Sequence, residues 1–278
     1  GRTAARELEI DIGTAGSVTL LLQALLPPLL FAGGSTRISV SGGTDTRWSI
    51  PLDYFIHVIL PHFTDFAEIT IRSKRRGFYP RGGGNLSLQI APRLSAPEEG
   101  LPVLLDAIAA RFEPLSLHNA PEIKEIRGRS VASRPLQKSH VASRQAEGAR
   151  RRLDTAKPLH LQEEYVRTDS IGTVITLWAV GSDGRSRCGG DALGKRGVPA
   201  EAVGRTAAAR LMAALESGAG VDHHLADNLI PLMALAGGTM VAERITGHIR
   251  SSLYVCEQFL GPRLRLDERR RSITAERP

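Results

Sequence analysis

The stretch PLMALAGG, Pro231 to Gly238, has a counterpart near the other end of the chain, PPLLFAGG, Pro27 to Gly34. Aligning the two puts Gln23 and Asp227 at equivalent positions, each a polar residue on an otherwise apolar helical segment. Working outward from the first copy, Val18 to Phe31 is an apolar segment of helix length. Thr36 to Ser41 alternates as a β-branched strand. Leu52 to Phe63 spaces Tyr54, Phe55, Val58, Ile59 and Phe63 as a helix does. Short strands are expected at Glu68 to Arg72 and Asn85 to Ile90. Around the second copy the same order recurs. Helix His224 to Ala236 precedes strand Thr239 to Ile245, helix Ile249 to Leu260, and strands Arg263 to Leu266 and Arg271 to Thr274. The pattern predicts two α-β-α-β-β units sharing a core, each with a proline inside its first helix.

A different block separates the copies. It reads as strand Ile126 to Ala132, basic helix Ser139 to Leu153, strands Leu159 to Arg167 and Thr173 to Val180, and a helix from Pro199 to Glu216. Pro199 suits a helix start. The expected organisation is therefore a core in two parts, 1–121 and 219–278, with a small α/β domain, 122–218, inserted between them.

The 278 residues carry a net charge of +7, from 36 basic and 29 acidic side chains. That balance favours a polyanionic partner, nucleic acid above all. Two cysteines, Cys188 and Cys256, exclude a disulfide framework, and no CxxC or HExxH spacing marks a metal site. The longest apolar run, Val18 to Ala32, is too short to span a bilayer. A cytoplasmic protein without membrane attachment is the expectation. The chain opens on GRTAARELEIDIG, which lacks a methionine and already alternates like a strand, so an upstream segment is expected.

Several stretches are candidates for chemistry. GGDALGKR, Gly189 to Arg196, has P-loop spacing but ends in Arg where Ser or Thr must hold magnesium, so it is set aside. His248, in RITGHIRSS, falls at a helix start, where amides and dipole disfavour an imidazolium. A neutral ring is what a nitrogen nucleophile needs, although a capping or surface role fits the same position. His224, three residues before Asp227 in DHHLADN, forms either a local cap or a clamp for a ligand at the helix end. Asp45, in SGGTD, is explained by turn chemistry. RRGFYPRGGGNL, Arg75 to Leu86, sets three glycines behind a basic, aromatic turn. It reads either as a flexible hairpin or as a surface where Arg75, Arg76 and Arg81 meet phosphates.

Taken together, SGGTD (Ser41 to Asp45), RGFYPRGGG (Arg76 to Gly84), HLADNLIPLMALAGG (His224 to Gly238) and TGHIRSSLYVCEQFLG (Thr246 to Gly261) resemble the RNA 3'-terminal phosphate cyclase family. AGSVTLLLQ (Ala15 to Gln23) and GKRGVPAEAVGR (Gly194 to Arg205) match as well. The resemblance implies an α+β fold with a core of repeated two-helix, four-stranded units and an inserted thioredoxin-like α/β domain. It implies three repeats where two are found, the opening one with its GEGGGQ-type loop being absent. It also implies ATP-dependent conversion of an RNA 3'-phosphate to a 2',3'-cyclic phosphate. His248 would carry AMP, Gln23 and the run His224, Leu225, Ala226, Asp227 and Asn228 would bind ATP, and a divalent cation, Mg or Mn, would assist. The partner would be RNA with a 3'-phosphate end. The family commonly has glutamine where Asn228 stands, and a proline pair at Ile50-Pro51. Rival readings are a non-catalytic relative acting in ribosome biogenesis, and an enolpyruvyl transferase.

Overall fold

The computed structural model describes residues 6–153 and 155–278. The first five residues of the expected opening core part lie outside them. In the first repeat, β1 (Glu7–Asp11) leads through α1 (Val18–Leu29) to β2 (Thr36–Gly42). A helical segment opening with α2 (Leu52–Tyr54) follows, then the hairpin β3 (Ala67–Arg75) and β4 (Gly84–Pro92). The sheet order is β1-β2-β4-β3, with β1 and β2 parallel and the other pairs antiparallel.

After α3 (Leu101–Arg111), β5 (Leu115–Leu117) begins the second repeat. It resumes far along the chain with α6 (His223–Ala236), β10 (Gly238–Val241), α7 (Gly247–Leu260), β11 (Leu264–Asp267) and β12 (Ser272–Ala275). The order β5-β10-β12-β11 and its strand directions reproduce the first sheet position by position. The repeat unit is therefore β-α-β-α-β-β, one strand longer than its sequence signal. One hydrophobic cluster joins both copies: Leu22 and Leu26 of α1, Ile38 and Leu88 of the first sheet, Leu229 and Met233 of α6, Met240 and Ile273 of the second.

Between β5 and α6 stand β6 (Ile123–Ser133), α4 (Val141–Arg152), β7 (Leu159–Val166), β8 (Thr173–Gly181), β9 (Ser186–Leu193) and α5 (Ala200–Glu216). They form a third sheet, β7-β6-β8-β9, in the β-α-β-β-β-α order of a thioredoxin-like unit. The helices α4 and α5 approach closely because Gly148 and Gly204 stand at their crossing. A Cβ on Gly204 would lie 1.9 Å from the Gln145 carbonyl.

Two elements differ from their sequence reading. The segment Leu52 to Phe63 is not one regular helix: α2 passes into a wider π-turn, Phe55–Ile59, and a 3-10 turn, Leu60–His62. Leu60 N–H bonds to the Phe55 carbonyl, five residues back. Pro61 has no N–H with which to continue the α pattern. The strand expected over Thr239 to Ile245 ends at Val241, where the chain leaves the sheet and Glu243 N–H bonds to the Val221 carbonyl instead.

Candidate active site

Two parallel features of the second repeat build the site: the start of α6 and the start of α7. Asp222 caps α6, accepting from Leu225 N–H at 2.9 Å, and Thr246 caps α7, accepting from Ile249 N–H at 3.2 Å. His248 is the second residue of α7, and its side chain is exposed. One turn along the same helix face, Ser252 donates to Asp227 Oδ1 on α6 at 2.7 Å. The helix carrying the candidate nucleophile is thus locked to the helix carrying the candidate nucleotide contacts.

His224 lies at the N-terminal end of α6, its ring edge-on to Tyr54 at 5.8 Å and tilted against His223 at 4.0 Å. Desolvation by the surrounding protein, with Arg244 and Arg210 adding to it, pulls its imidazole down to about 3, although part of the ring stays open to solvent. The shift favours the neutral ring at physiological pH. His223 bridges Glu243 Oε2 (2.7 Å, through Nδ1) and Arg244 (2.8 Å, through Nε2), tying the α6 start to the loop before α7.

The remaining sequence candidates are not equivalent. Leu225 and Ala226 have fully buried side chains. They belong to the core, and Leu225 N–H is already bonded to Asp222, so their side chains are not open to a ligand. Asn228 turns back on its own helix, donating to the His224 carbonyl at 2.8 Å. Gln23 is half-buried on α1, which packs on α6. GGDALGKR runs through strand β9 and not across a helix start, in keeping with its rejection as a P-loop.

Arg76 also departs from expectation. Its guanidinium is 6% exposed and pairs with Asp45, at 3.0 Å, and with Asp53, so it faces the interior and not a phosphate. Burial raises the Asp45 carboxyl above its usual range, with Arg76 opposing the shift. Arg75 and Arg81 are exposed, Arg75 lying 3.9 Å from Asp169. The glycines behind them are neither a floppy hairpin nor a bare platform. A Cβ on Gly82 would lie 2.4 Å from the Thr14 carbonyl, and one on Gly84 2.6 Å from Gly77 N. The loop packs backbone to backbone, with Gly77 N–H and its carbonyl engaging Thr44.

Three contributors escaped sequence reading: Ser252, Asp222 and Tyr54. The first was within reach, being four residues after His248. Asp222, the first residue of DHHLADN, fits the cap pattern. Tyr54 sits on the other repeat, and nothing local ties it to Asp222. Among the described residues no group of three His, Cys, Asp or Glu side chains is arranged to hold a metal ion. Among them also, no helix is long and apolar enough to cross a membrane.

A duplicated two-helix, four-stranded core interrupted by a thioredoxin-like unit, with a helix-start histidine within its second repeat, narrows the class to the enzymes the sequence motifs resemble. A sequence profile described as RNA 3'-terminal phosphate cyclase matches residues 1–266. Relatives of the same description include those of Thermococcus onnurineus (44% identical, covering 94% of this chain and 71% of the relative) and Methanosarcina barkeri (39%, 94% and 72%). That of Pyrobaculum neutrophilum is 39% identical over 93% and 70%. The chain belongs to the RNA 3'-terminal phosphate cyclase family.

Proposed function

We propose that the protein converts RNA 3'-terminal phosphates to 2',3'-cyclic phosphodiesters at the expense of ATP, with His248 as nucleophile. The observation that carries the reading is the Ser252–Asp227 bond, which ties α7, with the exposed His248 one turn before Ser252, to the helix that carries Asp227 and His224. A His248 ring nitrogen would attack the α-phosphorus, forming a P–N bond as pyrophosphate leaves. An RNA 3'-phosphate oxygen would then displace the imidazole. Finally the vicinal 2'-hydroxyl would attack the activated phosphate and release AMP, its proton passing to solvent. Adenylation thus gives the terminal phosphate AMP as its leaving group in place of a poor oxide leaving group.

The neutral His224 ring suits stacking on an adenine. Asp227, half-buried and already oriented by Ser252, suits a polar contact to the nucleotide, with Gln23 on the adjoining helix. Mg or Mn would neutralise phosphate charge when bound. The described residues offer no ready ligand cluster for it.

Incubation with ATP labelled on its α-phosphate tests this reading. The wild-type chain is expected to acquire acid-labile, base-stable label, and His248→Ala none. Equal labelling of the two proteins would falsify the assignment.

A further inference from the structure

Two exposed aromatic side chains stand on turns that leave a single bridged pair of residues. Asp45 and Phe78 form an isolated parallel bridge, and Asp45 N–H also bonds to the Gly77 carbonyl at 3.2 Å. From that point one turn carries Arg47 and Trp48, the other Tyr79, Pro80 and Arg81. Trp48 is 95% exposed and Tyr79 76% exposed.

Neither turn is loose. Thr46 Oγ1 and Ser49 Oγ lie 3.1 Å apart, Thr19 donates to the Ile50 carbonyl at 2.7 Å, and Leu52 N–H donates to Asp45 Oδ1 at 3.2 Å. The second turn is held by Gly82 N–H on the Phe78 carbonyl at 2.9 Å and Arg81 N–H on Ser170 Oγ at 3.0 Å. Phe78 itself is buried against Val131 and Val174. Trp48 also holds φ at 63°, a left-handed conformation that bulky L side chains avoid. Strain of this kind, at a fastened turn whose exposed ring has no packing to reward it, points to a ligand.

We infer that Trp48 and Tyr79 form a stacking platform for the bases of single-stranded RNA, flanked by Arg47, Arg75 and Arg81 as phosphate contacts. Rings that offer an open π-face beside arginines are the sequence-tolerant means of holding single strands. All three arginines are exposed, and the chain's net charge is +7. The platform connects to the candidate active site through α2, which follows the Trp48 turn and carries Tyr54 against His224. This inference rests on the cyclase reading and names where the RNA strand would lie.

The test is a titration with a single-stranded oligoribonucleotide ending in a 3'-phosphate, following tryptophan emission together with the anisotropy of a fluorophore on the RNA 5' end. The only other tryptophan, Trp178, is 7% exposed and stacked on His57 at 4.2 Å, so a base can reach Trp48 alone. Emission is expected to fall in step with rising anisotropy. Trp48→Ala and Tyr79→Ala should each weaken RNA affinity about 5- to 100-fold, while Trp48→Phe keeps most of it. Melting temperatures show whether the variants fold, and the open rings predict little change. RNA binding without quenching, wild-type affinity in the double alanine variant, or complete quenching by ATP alone each overturns the platform. Absence of RNA binding overturns it too. Label uptake from ATP by the wild-type chain then decides whether the cyclase reading survives.

Discussion

Arg76 lies between Asp45 and Asp53 with all three side chains buried, and Arg129 stands a further 3.8 Å from Asp53. Removing such ions from water costs several kcal/mol each, an amount offset only while every partner is present. Arg76→Met should therefore lower stability by about 3–5 kcal/mol, read as a fall in urea midpoint at constant m. An unmoved midpoint would mean that Arg129 alone can balance the carboxylates. His62 gives a pH signature. Its Nε2 bonds to the Ser186 carbonyl at 2.9 Å, and burial pulls the imidazole down to about 4. The unfolded ring titrates near 6.5, so between 6.5 and 4 the unfolded chain binds more protons. The stability contributed by the neutral ring is complete above 6.5 and is lost as pH falls, by up to about 2 kcal/mol at pH 5. Asp191, raised to about 6 mainly by burial, works in the opposite sense between 3.8 and 6. The discriminating measurement is thus the difference between wild type and His62→Gln, whose unfolding free energy should vary less steeply between pH 7 and pH 5.

At the level of elements, what the sequence made legible followed from repetition and from side chains with a period. The paired PxxxxAGG segments placed α1 and α6 in register, and β-branched alternation found β2. β9, SRCGGDAL, was missed for a packing reason. The Tyr54 ring and the Ala207 carbonyl occupy the space where Cβ atoms of Gly189 and Gly190 would stand, at 2.5 and 2.3 Å, so the apolar alternation is erased there. β5 is three residues long and α3 is only partly buried, leaving little signal for either. In the candidate site, His248, His224 and Asp227 were legible through motif resemblance. The pairing of Tyr54 with Asp222 spans 168 positions and was not. The glycine loop shows how a legible motif can carry an unexpected reason. Gly82 and Gly13 both hold positive φ, at 71° and 76°, but only Gly82 faces backbone where its Cβ would go. Gly13→Ala should cost about 1 kcal/mol, the left-handed penalty alone. Gly82→Ala should cost at least ~2 kcal/mol more, because the Thr14 carbonyl is backbone and cannot swing aside. Equal unfolding midpoints for the two variants would remove close packing as the reason for that glycine.

Across the whole molecule, the two repeats and the inserted unit meet at one carboxylate. Asp222 accepts from the Tyr54 hydroxyl at 2.5 and 2.6 Å, from Gly189 N–H of β9 at 2.7 Å, and from Leu225 N–H of α6 at 2.9 Å. Burial pushes its carboxyl above the usual range, opposed by these donors. The first repeat, the insert and the second repeat are therefore tied through the same side chain that starts the helix bearing His224 and Asp227. Tyr54→Phe removes one donor and leaves the two amides satisfied, a loss of about 1–2 kcal/mol. Asp222→Asn retains the shape but sets an N–H₂ group against groups that are all donors, so its loss should be larger. Because α6 would lose its own anchor while α7 keeps its Thr246 cap, the proposed reaction should show KM for ATP rising more than kcat falls in both variants. A purely structural carboxylate would lower the active fraction, and with it kcat, while KM stayed constant. That split, measured on protein whose folding has been verified, decides whether Asp222 positions the helix proposed to bind the nucleotide or only holds the domains together.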